Sequence, residues 1–520
     1  MPSLSTELLV VGGGATGLGV AWDACLRGIK VVLVEQGDLG QGTSGRFHGL
    51  LHSGGRYVLS DPQAATDCAK ENKILRRIVP HAIEDTGGLF LCAPGDPQDF
   101  PDQWLEACRR TGVPAQELPV GNILHREPLV NPRVTRAFEV LDAAIDSFDL
   151  MHALADGIRA HGGQVWLRHR LERLIVDNGR VSAAEILSLT TGERRLVGAS
   201  LVVNAAGPWA SLVADKAGLT VPTALGRGCM VAMATRLVHT VLNRCKYPSD
   251  GDILVPIGTV TVLGTTDIPV GSPEDLAIEP EEIDLLLAEG EILIPSLLQH
   301  RPLRAWAGIR PLYRPATEPG TSTRELPRSH YILDHAKVDG LQGFLSIVGG
   351  KLATFRLMAE EAMEVICGAL GLKTPCPTSD AAISPAAGRL HTLPSRLDQI
   401  ERRTSAKNRS PILCECELVT EQDFALACRQ GPGELDDIRR DLRLGMGPCQ
   451  AAFCAYRASG LARRLLPHPP PSGGYHAFVE ERWRGTRPVA WETMLRQLEL
   501  SRRLTLELLA AHRIRNEAVD

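Results

Sequence analysis

The chain lacks any apolar run approaching the roughly 18 residues that a membrane-crossing helix needs, so no transmembrane segment of its own is expected. It also lacks an excess of one charge. With 56 basic and 61 acidic residues the net charge is −5, and the two signs are well mixed. That removes the basic stripe on which nucleic-acid binding depends, and no nucleic-acid partner is expected. There is no apolar signal-peptide core before the first strand pattern, so a cytoplasmic, reducing compartment is expected. No internal repeat is present. In that setting the 13 cysteines read as thiols or metal ligands rather than disulfides. Nine of them (Cys25, Cys68, Cys92, Cys108, Cys229, Cys245, Cys367, Cys376 and Cys428) are scattered and read as small buried hydrophobes. Apolar content is ordinary for a soluble protein, and 520 residues imply two or three domains.

What is present is organised around residues 9–35. Leu9-Val10-Val11 is a strand-like run. Gly12, Gly14 and Gly17 fill a G-x-G-x-x-G pattern, residues 15–27 have helical spacing, and a β-branched run over 30–34 ends at Glu35. In such a unit the first glycine permits a tight turn and the second lets backbone approach a pyrophosphate. The third lets the helix pack on the strand, and the helix N-terminus faces the phosphate charge. The terminal carboxylate accepts hydrogen bonds from ribose hydroxyls. Taken alone, this unit reads as a dinucleotide site, with NAD and FAD equally open.

Residues 43–57 follow, with Thr43, Ser44, Arg46, Phe47, His48, His52, Arg56 and Tyr57 set among four glycines. That is too much glycine for a stable helix or strand, and it is the kind of loop in which polar groups converge on a cofactor. Helices are expected over 62–79 and 149–161, and a strand over 164–175. The strand at 201–206 stops at Gly207-Pro208-Trp209, where small residues let a strand end lie against a cofactor. A hairpin is expected at 253–256 and 260–264, followed by Gly264-Thr265-Thr266-Asp267. Arg310 stands among small and apolar residues, where a guanidinium must meet a carboxylate or an anionic ligand. Gly349-Gly350-Lys351 links a strand to a helix running towards Leu370, and can aim backbone N–H groups and an ammonium into a site. A boundary is expected near Pro375. Residues 467–474 read as a linker, and the tail carries Leu500, Leu504 and Leu508 on one helical face, expected to dock on protein.

Cys414-Glu415-Cys416 and, after 32 intervening residues, Cys449 and Cys454 give C-x-C…C-x4-C. Four thiolates suit an iron–sulfur cluster and also a structural zinc. C-x-C is tight for zinc and acceptable for a planar two-iron cluster. Thr420 with Asp423 resembles a capping box, and the turn at 445–448 is expected to set Cys449 at the next helix N-terminus.

Taken in order, residues 12–17, the 43–57 loop, Gly264-Thr265-Thr266-Asp267, Gly308-Ile309-Arg310-Pro311 and Gly349-Gly350-Lys351 resemble the FAD-dependent glycerol-3-phosphate dehydrogenases. The cysteine region is similar to the bacterioferritin-associated-ferredoxin-like [2Fe-2S] domain. With Trp483 and Trp491 in the tail, the set most resembles the large A subunits of the anaerobic members. The resemblance covers nearly the whole chain. It implies an α/β and α+β protein in which a Rossmann-type FAD domain with an interleaved mixed-sheet substrate domain occupies 1–375. A small helical cysteine-ligated domain would follow at 408–461, and a helical tail at 475–520. It implies oxidation of sn-glycerol 3-phosphate to dihydroxyacetone phosphate by hydride transfer to flavin, with electrons passing through iron–sulfur centres to a quinone. It also implies partner subunits that attach the enzyme to the cytoplasmic face of a membrane. Gly12, Gly14, Gly17, Glu35, Thr43, Ser44, Gly207, Gly349 and Gly350 would hold FAD. Arg56, Tyr57, Arg310 and Lys351 would hold substrate, with Arg310 and Lys351 also at the reacting centre. His52, then His48, would be the base, since a histidine suits removal of the hydroxyl proton. Cys414, Cys416, Cys449 and Cys454 would hold the cluster. A related flavin enzyme acting on a 2-hydroxy acid such as 2-hydroxyglutarate, or on an amino acid, is the nearest alternative. A non-catalytic electron-relay subunit is another.

Overall fold

The computed structural model describes residues 4–315, 322–385, 398, 401, 410–430, 434–466 and 474–510. The strand Leu4–Val11 lies inside a parallel sheet. Arg194–Asn204 pairs with it on one side, with Val11 opposite Asn204, and Val31–Glu35 pairs with it on the other. Gln164–Leu167 and Phe344–Gly349 extend the parallel set outward. Parallel strands covered on both faces require continuous apolar sequence, and Leu8, Leu9 and Val10 are fully buried. Helices Ala15–Leu26, Ser147–Ala160 and Phe355–Leu370 cover one face around Leu18, Leu154 and Met363. The hairpin His169–Asp177 and Arg180–Ser188 continues the sheet beyond Arg194–Asn204 in antiparallel fashion.

The helices expected over 15–27, 62–79 and 149–161 are Ala15–Leu26, Pro62–Ile78 and Ser147–Ala160. The strand expected over 164–175 is broken into two, because Arg168 adopts φ +58° and turns the chain between them. The 43–57 loop is less irregular than its glycines imply. Leu50–Leu51 pairs with Ala144 and Ala143 in a three-stranded ribbon, since two buried leucines need backbone partners once they leave water.

A second, nine-stranded sheet is built around Thr223–Met233, which pairs antiparallel with Pro302–Tyr313 and Val260–Gly264. The expected hairpin is Ile253–Ile257 with Val260–Gly264. Both sheets send strand ends and loops into one large cleft.

The C-terminal cysteine region has its own core of Leu413, Phe424, Ile438, Ala458 and Phe478. Thr420 and Asp423 form the expected reciprocal cap on helix Glu421–Gln430: the Asp423 amide donates to Thr420 Oγ1 at 3.2 Å, and the Thr420 amide to Asp423 Oδ2 at 2.9 Å. Cys449 does not start a helix. Gln450 and Ala451 adopt φ +48° and +70°, so the chain stays in a turn and the helix Cys454–Leu465 begins at Cys454. The proline-rich stretch expected as a linker falls, from 467 to 473, outside the described residues. In the tail, Tyr475 and Phe478 join the cysteine-region core, and Val489 enters the core of the nine-stranded sheet. The leucine face is not docked within the chain: Leu500 is 50% exposed and Leu508 73%, while the buried anchor of that helix is Met494. No helix among the described residues is long and apolar enough to cross a membrane.

Candidate active site

The cleft holds a cavity of about 1400 Å³. This exceeds the roughly 300–1,000 Å³ of a drug-sized pocket and is large enough for a dinucleotide beside a small substrate. Gly12 and Gly14 line one end of it. Gly12 has φ +117°, and a Cβ there would meet the carbonyl oxygen of Ala205 at 2.5 Å. Gly17 lies behind the turn and outside the lining, and a Cβ on it would meet the carbonyl oxygen of Gly12 at 2.0 Å. The third glycine of the pattern therefore shapes the turn rather than facing a ligand. Ser44 Oγ accepts a hydrogen bond from the amide of Ala15, the first helical residue, at 3.0 Å. Glu35 Oε2 accepts from the Gly13 amide and Oε1 from the Gly37 amide, each at 2.7 Å. A carboxylate oxygen has a second lone pair, so ribose hydroxyls can still donate to it. Burial pushes the Glu35 carboxyl above its ordinary value in spite of these two donors. Thr43 lines the cavity and donates through its hydroxyl to the carbonyl of Ile309; Gly207, Gly349 and Gly350 line the cavity wall.

The other end of the cavity is cationic. Arg56, Arg310, Arg328 and Lys351 line it. Arg310 donates to Asp267 Oδ1 at 2.9 Å, to the Thr266 carbonyl at 3.0 Å and to the Thr265 hydroxyl. Arg328 Nη2 reaches the second oxygen of the same Asp267 at 3.4 Å, and its buried Nη1 has no partner among the described residues. Arg56 pairs with Asp252 at 2.9 Å. Lys351 Nζ donates to the Arg328 carbonyl at 2.9 Å and sits 4.5 Å from the centre of the Tyr57 ring. Three guanidiniums thus share two carboxylates, with an ammonium beside them. Asp61, which also lines the cavity, caps helix Pro62–Ile78 through Ala64 and accepts from the Arg328 amide. Burial, and then the neighbouring Arg328 charge, bring the Arg310 guanidinium down to about 10. Burial likewise lowers the Lys351 ammonium and pushes the Tyr57 phenol up to about 12, so Tyr57 is a neutral hydroxyl at neutral pH.

His48, His52 and Tyr57 form a row of edge-on rings, with centroids 5.7 Å apart between the histidines and 5.4 Å apart between His52 and Tyr57. Burial, then Arg56 and Arg310, bring the His48 imidazole down to about 3. Burial, then His48, Arg56 and Lys351, hold His52 well below 6.5. Both are neutral at neutral pH. The loop that carries them is pinned from outside. Asn72 donates to the His52 carbonyl at 3.2 Å, Asp142 accepts from the Ser53 amide at 2.6 Å, and the Trp104 indole donates to the Gly55 carbonyl at 2.8 Å.

Every residue singled out in the sequence for cofactor or substrate lines this cavity, with the exception of Gly17. Sequence reasoning missed Arg328, the counter-ion role of Asp252, and the loop anchors Asn72, Asp142 and Trp104. Nothing in the flanks of Arg328 marks it, whereas Asp267 ends the conspicuous Gly-Thr-Thr-Asp run.

The cysteines meet as two pairs of thiols in hydrogen-bonding contact, Cys414 with Cys454 and Cys416 with Cys449. The contact with Cys449 brings Cys416 down to about 6, while its donor is pushed up. Among the described residues no three His, Cys, Asp or Glu side chains surround one point as a single metal ion would require. A [2Fe-2S] cluster instead takes four cysteines, shared between its two irons, and two thiol pairs fit that donor set. The other nine cysteines are thiols, buried apart from the partly exposed Cys376.

Residues 7–356 match the FAD-dependent oxidoreductase family. This chain belongs to that family. The oxidoreductase is 39% identical over 522 residues to the A subunit of the anaerobic glycerol-3-phosphate dehydrogenase of Escherichia coli strain K12, covering 96% of both chains. It is 38% identical to the A1 subunit of the anaerobic glycerol-3-phosphate dehydrogenase of Haloferax volcanii, over 96% of this chain and 90% of that one. The glycerol-3-phosphate dehydrogenase from Bacillus halodurans, solved with FAD, shares the fold with a TM-score of 0.62 at 23% identity, covering 100% of this chain and 97% of that one.

Proposed function

We propose that the oxidoreductase oxidises sn-glycerol 3-phosphate to dihydroxyacetone phosphate as the large subunit of a membrane-associated dehydrogenase complex, with electrons leaving through a [2Fe-2S] cluster to a quinone. The observation that carries the substrate is the cationic end of the cavity, where Arg56, Arg310, Arg328 and Lys351 stand against two paired carboxylates. With Asp61 and the Arg324–Asp250 pair counted, this end still carries net positive charge. Its guanidinium forks, with an Arg328 Nη1 that has no partner among the described residues, suit the oxygens of a phosphate, whereas an amino-acid zwitterion brings no net charge to meet them. The relatives in Escherichia coli and Haloferax volcanii carry the same activity in their names.

The residues that would hold FAD are Gly12 and Gly14 at its pyrophosphate, Glu35 at its adenosine ribose, and Thr43, Ser44, Gly207, Gly349 and Gly350 along the wall. Bound FAD supplies the acceptor for the hydride that leaves substrate C2. The protein's own part is to fix the phosphate with guanidinium forks, to donate from Tyr57 to a substrate oxygen, and to take the C2 hydroxyl proton. His52 is assigned that last task. Its ring lies between His48 and Tyr57, and burial keeps it unprotonated at neutral pH, the form from which a base acts. Together, loss of hydride from carbon and proton from oxygen leave the ketone. Cys414, Cys416, Cys449 and Cys454 would hold the cluster, in a region of 408–461 that follows the oxidoreductase unit.

The experiment is anaerobic mixing of purified protein with glycerol 3-phosphate while flavin and cluster absorbance are followed separately. Flavin bleaching by glycerol 3-phosphate, followed by cluster bleaching, is expected. Bleaching by 2-hydroxyglutarate and not by glycerol 3-phosphate would reject the substrate. No bleaching by any substrate, with FAD and cluster intact, would point to a relay subunit.

A further inference from the structure

The family match ends at residue 356, yet the loop that follows Glu35 is held from outside it. Arg440, on helix Leu435–Leu442, is 4% exposed and its Nε donates to Asp38 Oδ2 at 2.7 Å; Asp38 is 2% exposed. Arg440 also contacts Asp436 and Asp437 on its own helix. Asp437 accepts in turn from Arg168 Nη2, at 2.8 and 2.7 Å on its two oxygens. The Arg168 amide donates to the Gly37 carbonyl at 2.9 Å, and the Gly37 amide donates to Glu35. A closed circuit therefore joins the adenosine carboxylate, the loop behind it and a helix some four hundred residues on. The same loop continues into Gly40, Gln41 and Gly42, which line the cavity.

We infer that Arg440 is a positioning residue for FAD: helix Leu435–Leu442 latches the Gly37–Asp38 loop so that Glu35 and residues 40–44 present the adenosine and pyrophosphate end of the site. The inference rests on FAD occupying the cavity and not on the cluster. Asp38 is buried and meets its cation through Arg440, so removing that cation leaves a carboxylate desolvated without compensation, and the loop must open towards water. By linkage the effect is reciprocal: FAD binding must stabilise the helix that holds its loop. The charged groups facing Arg440 are Asp38, Asp436 and Asp437, with Arg168, Glu434 and Arg439 in the next layer.

The test uses the full chain, stripped of FAD and titrated with it. R440M is expected to bind FAD at least tenfold more weakly than wild type. D38N leaves Arg440 its two helical aspartates and so keeps the test open if R440M unfolds, and it is expected to weaken FAD in the same direction. Hydrogen exchange supplies the second readout. In wild type, FAD is expected to slow exchange across residues 435–442; in D38N that slowing is lost while residues 4–11 are still protected. Unchanged FAD affinity in D38N, or no FAD-dependent protection of 435–442 in wild type, overturns the latch. A wild type that binds no FAD at all fails the cofactor reading instead, and is recognised by a flat FAD titration while residues 4–11 stay protected.

Discussion

The backbone amide of Leu50 donates a hydrogen bond to Nδ1 of His48 at 3.1 Å. A neutral imidazole that accepts at Nδ1 carries its proton on Nε2, so His48 enters the cavity as a donor. This separates the two histidines that the sequence left together, and it leaves His52 as the ring able to accept a proton. H52A is expected to slow flavin reduction by glycerol 3-phosphate by about two to four orders of magnitude, the usual range for a lost general base. H48A is expected to cost less and to act mainly through substrate or flavin binding. Single-turnover bleaching at pH 7 measures both, and an unchanged rate in H52A removes His52 from the role.

The same two rings set a pH dependence. Their folded values are depressed, with His48 at about 3 and His52 well below the ordinary 6.5. The unfolded chain therefore binds more protons between those limits. Stability from these groups is complete above pH 6.5 and is lost as the pH falls from 6.5 towards 3. Thermal melts of the FAD-free protein are expected to fall between pH 7 and pH 5 more steeply for wild type than for H48A. The acid limb of kcat/KM is expected below pH 6.5.

Asp267 serves two guanidiniums, Arg310 at 2.9 Å and Arg328 at 3.4 Å. R310A is expected to lower kcat/KM for glycerol 3-phosphate by at least about a hundredfold, roughly 2.7 kcal/mol, with FAD retained. R328A is expected to raise KM more than it lowers kcat, since a group that binds phosphate equally in ground and transition states acts on KM. Steady-state kinetics beside flavin occupancy separate the two effects. Loss of FAD in R310A would contradict the assignment to substrate.

C414A is expected to abolish the visible absorbance and the iron of a [2Fe-2S] cluster while the flavin still bleaches with substrate. Zinc without iron in the purified wild type would contradict the cluster. Gln450, beside Cys449, accepts from Arg304 at 3.3 Å and from Arg482 at 2.6 Å, while Arg301 donates to the Pro448 carbonyl at 3.3 Å. Arg304 and Arg310 share the strand Pro302–Tyr313, which runs from this cysteine loop to the substrate end. Q450A is therefore expected to slow cluster bleaching relative to flavin bleaching, measured in the same anaerobic trace.

Much of the cofactor end was legible because its determinants are local. A strand, a glycine turn, a helix and a carboxylate fall within residues 9–35, and each follows from pattern and backbone sterics. The Gly-Gly-Lys turn, the helix spans and the Thr420 cap were readable for the same reason. The error at Cys449 came from two left-handed residues that are not glycine, which composition does not announce.

The sequence by itself determined that a dinucleotide turn, a basic histidine-bearing loop and two closely spaced pairs of cysteines occur in one chain. Tertiary structure decided which charges face one another. Asp267 is 43 positions from Arg310 and 61 from Arg328, and Asp38 is 402 from Arg440. It also decided which nitrogen of His48 is occupied. The reason is physical: helices, turns and caps are selected by backbone geometry between near neighbours. A buried charge instead takes the partner that the packing of distant elements brings within hydrogen-bonding range, and chain distance has no bearing on that choice.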